Sequence, residues 1–152
     1  MVGSPFQETE DMIADMRFLQ EFQPHMVGIG PFIPHHDTPF ANFSQGTLER
    51  TLTMVALTRL TVPNALIPAT TALGTIHPGG RELGLKAGAN VVMPNLSPAA
   101  VRGQYSLYDN KLCTGEEAAE SIAGLDRRIR AAGYQITVGR GDALTEWNDK
   151  EQ

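Results

Sequence analysis

Residues 65–95, ALIPATTALGTIHPGGRELGLKAGANVVMPN, constrain the fold more than any other stretch of this chain. An apolar run ends at Thr70 and Thr71, a segment marked by Pro78 and Gly88 favours a helix, and a second apolar run follows. This order predicts a strand, a helix and a parallel second strand. In parallel α/β folds, polar residues at the C-terminal end of a buried strand lie where ligands bind.

The same alternation continues on both sides of this stretch. The strands within the stretch are predicted at 65–69 and 89–93, a further strand is predicted at 25–32, and residues 1–5 resemble the end of another. Helices are predicted after Thr9, after Thr47, from Pro78 and after a capping box at 114–117. About four parallel strands alternating with helices, plus a C-terminal helix, predict an α/β fold. A complete TIM-type (βα) barrel needs roughly 250 residues, so we expect a half-barrel.

The predicted domain covers residues 1–142, and residues 135–138 are expected to add an edge strand. Residues 143–152 are polar and are predicted to form a flexible tail.

Charge and cysteine content exclude several classes of function. The net charge is −5 and no basic stripe with interleaved aromatic residues occurs, which argues against nucleic-acid binding. Cys113 is the single cysteine, so one chain cannot form an internal disulfide or a multi-cysteine metal site. The sequence shows no signal peptide and no apolar run of membrane-spanning length, so we expect a cytoplasmic protein without membrane contact.

Two groups of residues are candidates for ligand binding from their pattern alone. Met26, Gly28 and Gly30 alternate along one predicted strand and share a face, where the glycines leave room for a ligand against the backbone. Tight packing in a barrel interior explains the same pattern equally well. Thr70 and Thr71 offer hydroxyls to an anion or carboxylate, although they would also serve to cap the following helix.

Met93 and Asn95 lie at the end of the last strand in this stretch. Asn95 can both donate and accept hydrogen bonds to a substrate, and Met93 is expected to line the cavity or to fill the core.

A histidine-rich loop raises the question of a metal site. His35, His36 and Asp37 carry common metal ligands, but adjacent residues point apart in an extended chain, so hydrogen-bonded loop histidines are the favoured interpretation. Cys113 has no identifiable partner base, which favours an inert thiol over a nucleophile. We therefore predict neither a metal site nor a catalytic residue in this chain.

Three segments resemble a known enzyme family. VGIGPFIPHHDTPFAN (27–42), LIPATTALGTIHPGGRELGLKAGANVVMPN (66–95) and YSLYDNKLCTGEEAAESI (105–122) are similar to the C-terminal half of radical S-adenosylmethionine enzymes of the HydE and biotin synthase type. The resemblance implies a (βα)8 barrel whose N-terminal half carries a CxxxCxxC loop with a 4Fe–4S cluster. That cluster cleaves S-adenosylmethionine to a 5′-deoxyadenosyl radical, which attacks a small sulfur- or iron-containing substrate.

The resemblance also implies roles for particular residues. It places the adenosyl group of S-adenosylmethionine beside Gly28, Ile29, Gly30 and Pro31, with Met26 on the same segment. It places an anion or substrate carboxylate at the threonine pair. The CxxxCxxC motif is absent from this sequence, so we do not expect the chain alone to hold a cluster.

Two functions from different classes follow. In the first, the chain is part of a radical enzyme and acts together with the missing N-terminal half-barrel. In the second, it is a stand-alone, cluster-free module that binds a small carboxylate or anion and dimerises into a pseudo-barrel. A half-barrel exposes sheet edges and apolar strand faces, which predicts a homodimer or association with the missing half. Whether the isolated chain is an enzyme stays open.

Overall fold

The computed structural model describes residues 1–94, 99–102, 104, 107–111, 122–137 and 139–143. Within these residues the regular structure is helical. The helices are α1 (Thr9–Phe22), α2 (Leu48–Thr61), α3 (Thr71–Ile76), α4 (Gly80–Lys86), α5 (Ala99–Arg102) and α6 (Ile122–Ala131).

The two long N-terminal helices begin with different caps. The N-cap of α1 is Glu8, one residue before the predicted Thr9, and Glu8 and Asp11 form a reciprocal capping box. The N-cap of α2 is Thr47, as predicted, and its hydroxyl accepts a hydrogen bond from the Arg50 N–H at 3.3 Å. Both predicted helices are formed, and each ends two residues before a proline, Pro24 or Pro63.

The predicted half-barrel of four parallel strands is wrong. The described residues contain no β-strand. They contain three isolated parallel bridges, which pair Val2 with Pro31, Met26 with Leu66, and Pro68 with Val91. The described part of the chain is therefore a set of helices joined by extended segments, and the TIM-barrel and α/β assignments do not hold there.

The composition of the extended segments explains why the bridges stay isolated. Pro31 and Pro68 stand at bridge positions and have no N–H to donate, so a ladder cannot continue through them. Gly28 and Gly30 lower the strand preference of the segment before Pro31. The apolar alternation that predicted strands reflects burial on one side.

The core lies between the extended segments and the helices. Val27, Ile29 and Ile67 are buried, and they form one cluster with Val55 of α2, Leu85 of α4 and Leu125 of α6. Met12, Met16 and Leu19 of α1 pack against this cluster and are only partly buried. Met26, at 49%, and Gly28 alternate with the buried Val27 and Ile29 and are exposed.

The segment after Thr70 differs from the predicted single helix. The chain forms the short helix α3, turns at 77–79 and then forms α4, which begins two residues after Pro78. Gly88 follows α4 with φ +121°, which confirms the predicted left-handed helix end.

The C-terminal part matches the prediction in its helix and not in its strand. Gly133 follows α6 with φ +91°, as predicted, and Leu125 and Ile129 are buried. The predicted strand at 135–138 is not formed at 135–137, and residue 138 lies outside the described residues. The capping box at 114–117, Cys113 and residues 144–152 also lie outside them.

None of the described helices combines the length and apolarity needed to cross a bilayer.

Candidate functional site

A cleft of about 480 Å³ opens where the extended segment before Pro31 meets the start of α3. Its volume lies within the usual range for small-molecule sites. Five groups of residues line it: Met1; Gly28, Ile29, Gly30, Pro31, Phe32 and Ile33; His35, Thr38 and Phe40; Thr70 and Ala72; and Leu107 and Tyr108. The wall is mostly apolar, and a few polar groups point to one ligand-binding space.

Of the five residues predicted to contact a cofactor, all except Met26 line this cleft. Gly28 and Gly30 contribute backbone to its wall, and Pro31 and Ile29 complete the same segment. A Cβ atom added at Gly28 would meet no atom within 4 Å, so the backbone there is open to a ligand. A Cβ at Gly30 would lie 3.0 Å from the Thr70 hydroxyl oxygen, which shows how closely the two segments approach.

Thr70 and Thr71 are neighbours in sequence but have different places at the start of α3. Thr70 is its N-cap and lines the cleft, where its hydroxyl accepts a long 3.4 Å hydrogen bond from the Leu73 N–H. This bond uses the hydroxyl as an acceptor, so the O–H remains able to donate. Thr71 is the first residue of α3 and does not line the cleft.

Two other predicted residues lie away from the cleft wall. Met26 and Met93 are about half exposed, at 49% and 55%, and neither lines the cleft. Asn95 lies outside the described residues. The structure thus brings Thr70 together with the glycine segment but does not add Met26 or Met93 to them.

The histidine loop contributes to the site in a way that the sequence did not indicate. His35 and Thr38 line the cleft, and Phe40 packs edge-on against Phe32 with ring centroids 6.4 Å apart. The loop lies within the motif at 27–42 that resembles the enzyme family, and this resemblance was the sequence signal that could have placed it in the site. Leu107 and Tyr108 join the wall from a distant part of the chain, and they too occur in a quoted motif, the one at 105–122.

The loop histidines form a cluster at the edge of the cleft. The His35 and His36 rings stack with centroids 4.4 Å apart, and His36 Nδ1 lies 2.6 Å from an Asp109 carboxylate oxygen. The hydrogen bond with Asp109, and then the charge of Asp37, raise the pKa of His36. The same hydrogen bond lowers the pKa of Asp109.

A second cavity, of about 310 Å³, lies between α1 and α2 and contains none of the predicted site residues. Apolar side chains such as Met12, Ile13 and Leu57 dominate its wall. The cleft at Thr70 is the better candidate, because it combines apolar walls with convergent polar groups.

Comparison with curated proteins gives strong similarity to one enzyme. The chain is 51% identical over 133 residues to the [FeFe] hydrogenase maturase subunit HydE of Thermotoga maritima, which covers 88% of this chain and 38% of HydE. The chain corresponds to part of a HydE-type radical S-adenosylmethionine enzyme. The predicted resemblance is thereby confirmed.

More distant matches point the same way. The 3-methylornithine synthases of Methanosarcina barkeri and Methanosarcina acetivorans are 32% and 30% identical over 128 residues, which cover 84% of this chain and 35% of each synthase. No family model matches the chain. The HydE-type assignment implies S-adenosylmethionine and an iron–sulfur cluster as cofactors of the parent enzyme. The chain spans just over a third of the length of these relatives.

Proposed function

We propose that this chain supplies the substrate-binding cleft and part of the S-adenosylmethionine wall of a HydE-type radical enzyme. The observation that supports the proposal is the meeting of Gly28, Gly30 and Thr70 at one cleft. S-adenosylmethionine, when bound, supplies the radical chemistry. The residues of this chain hold and orient it and its substrate.

The cleft has space for an adenosyl group where the resemblance places it. Gly28 offers backbone without a neighbouring atom in the way, and Ile29 and Pro31 line the same cleft although both are largely buried. The cluster ligands come from outside this chain in our proposal, because its sequence holds a single cysteine, Cys113.

Thr70 is the residue that we assign to an anionic or carboxylate group of the substrate. Its hydroxyl oxygen lies 3.0 Å from the position of a Cβ atom at Gly30, and its O–H can donate to a carboxylate oxygen, in a wall that is otherwise mostly apolar. A hydrogen bond to a charged acceptor is worth more than one between neutral groups. We assign Thr71 a smaller role, since it lies outside the cleft wall.

Isothermal titration calorimetry with a thiazolidine carboxylate tests the assignment of Thr70 to the substrate anion. Thr70→Val keeps the branched shape and removes the hydroxyl, so we expect binding to weaken at least about tenfold. Thr53→Val is the matched control, because Thr53 is exposed on α2 and its hydroxyl bonds only the Glu49 carbonyl. Equal affinities of Thr70→Val and the unmodified chain would remove Thr70 from the site.

A cluster-free binding module is the second candidate. In that case the chain would bind the carboxylate and would not bind S-adenosylmethionine. We favour the enzyme part because the glycine segment and Thr70 lie in the same cleft, as a radical donor and its substrate require.

A further inference from the structure

The cluster of His35, His36 and Asp109 has the composition of a metal site. Each of these residues offers one ligand atom, and the three atoms all lie within 4.8 Å of one another. Among the described residues, this is the group of three histidine, cysteine or acidic side chains whose ligand atoms come this close together. Asp109 comes from a segment 73 residues away from His36, so the fold assembles the group.

The geometry is close to that of a coordinated ion. Ligand atoms about 2.1 Å from one ion lie at most about 4.2 Å apart, so side-chain movements of less than about 1 Å bring all three into range. A turn in the loop, not an extended chain, stacks the two imidazoles, which removes the objection that adjacent histidines point apart.

Local hydrogen bonds favour one arrangement of His35. The backbone N–H of Asp37 donates to His35 Nδ1 at 3.1 Å, so in the neutral ring Nδ1 carries the lone pair and Nε2 carries the proton. An ion bound through Nδ1 replaces this hydrogen bond. His36 is 69% exposed in its side chain, which gives an ion a path into the site.

We propose that His35, His36 and Asp109 bind a divalent transition-metal ion at the edge of the cleft. Two imidazoles and one carboxylate suit Zn²⁺, Co²⁺, Ni²⁺ or Fe²⁺ better than Mg²⁺ or Ca²⁺, which prefer oxygen ligands. Three protein ligands leave coordination positions open. Since His35 also lines the cleft, a ligand bound there is within reach of the ion.

Titration with Co²⁺ alone tests the proposal. The chain carries no histidine tag and Cys113→Ser is used throughout, so that neither a tag nor the thiol contributes. Visible absorption and equilibrium dialysis at about pH 8, where protons compete little for imidazole, report affinity and stoichiometry. We expect one ion per chain and at least about tenfold weaker binding in His36→Asn and in Asp109→Asn.

His25→Asn is the matched control, because His25 is an exposed histidine outside the cluster. It should bind Co²⁺ as the unmodified chain does. Equal loss in His25→Asn, full binding in Asp109→Asn, or no saturable binding at all would each overturn the proposal. His35→Gln serves as a further ligand variant, and circular dichroism confirms that each variant is folded before it is compared.

Discussion

At the residue scale, two adjacent glycines meet very different surroundings. A Cβ atom at Gly80 would lie 2.0 Å from the Leu73 carbonyl oxygen, where α4 begins against the end of α3. At Gly79 the nearest atoms would be those of the His77 ring, at 3.6 Å. Gly80 is therefore required by close approach of backbone to backbone, and Gly79 is not.

This contrast gives a prediction for stability. Gly80→Ala should lower the free energy of unfolding by about 1–3 kcal/mol, because the added methyl group forces α3 and α4 apart. Gly79→Ala should cost less than about 1 kcal/mol. Urea unfolding followed by circular dichroism measures both. A smaller loss for Gly80→Ala than for Gly79→Ala would contradict the close packing of the two helices.

The sequence identified some residues of the cleft and could not identify others. The glycine segment and Thr70 carried a local pattern, glycine alternation or a polar pair after an apolar run. Asp109 carried none, because its partner His36 lies 73 residues away and only the fold brings them together. Leu107 and Tyr108 reach the cleft from the same distant segment.

At the scale of elements, a two-armed ion pair joins α4 and α6. Arg128 Nε donates to one oxygen of Glu82 at 2.6 Å, and Arg128 Nη2 donates to the other at 3.1 Å. Burial alone would raise the pKa of Glu82, but the hydrogen bond and charge of Arg128 outweigh it and leave the pKa below its ordinary value of 4.5. The pair holds α6 over the first turn of α4.

Stability should therefore depend on the charge of Glu82. Because its pKa is lowered on folding, the carboxylate stabilises the folded state above about pH 4.5, and this contribution is lost as the pH falls through the folded-state pKa. Urea unfolding between about pH 7 and about pH 3 should show a smaller pH dependence in Glu82→Gln.

Asp126→Asn is the control for this experiment. Asp126 pairs with Arg130 on the same helix, and the Arg130 side chain is 63% exposed. Loss of this exposed ion pair should therefore change stability little. If Asp126→Asn reduced the pH dependence as much as Glu82→Gln, the link between α4 and α6 would not be the cause.

Helix ends were predictable and strands were not. Thr47 begins α2 because its hydroxyl accepts a hydrogen bond from a nearby backbone N–H. Gly133 follows the end of α6 because glycine adopts a positive φ without strain. Both effects depend only on neighbouring residues. A strand depends on a partner, and prolines at 31 and 68 leave the parallel segments with isolated bridges. Val27, Ile29 and Ile67 are buried although no strand forms, because burial needs only a packed face.

At the scale of the whole molecule, one side of the extended segments lacks a covering layer in the described structure. Met26 and Met93 are about half exposed, and Gly28 is exposed between the buried Val27 and Ile29. Exposed apolar surface of this kind favours association. The missing part of the enzyme or a second copy of the chain would cover it.

We predict that the isolated chain forms a homodimer through this side. Light scattering coupled to size exclusion at micromolar concentration should give twice the mass of one chain. Met26→Glu with Met93→Glu should shift the protein to monomer, whereas Leu60→Glu should not, because Leu60 is 79% exposed on α2. A monodisperse monomer of the unmodified chain would refute this prediction.

The family was predictable from the sequence where the fold class was not. Long contiguous motifs such as that at 66–95 carry family identity, and the 51% identity to HydE confirms it. The predicted half-barrel followed from the same motifs and from apolar alternation, and the described residues do not form its strands.

Binding of S-adenosylmethionine to the chain, measured by calorimetry, tests the central claim most directly. The account predicts saturable binding that weakens at least about tenfold in Gly28→Leu, whose side chain fills the open space in the cleft. Gly139→Leu is the control, since a Cβ there also meets nothing within 4 Å but Gly139 lies outside the cleft. Equal binding by both variants, or no binding by the unmodified chain, would contradict the assignment of this cleft to S-adenosylmethionine.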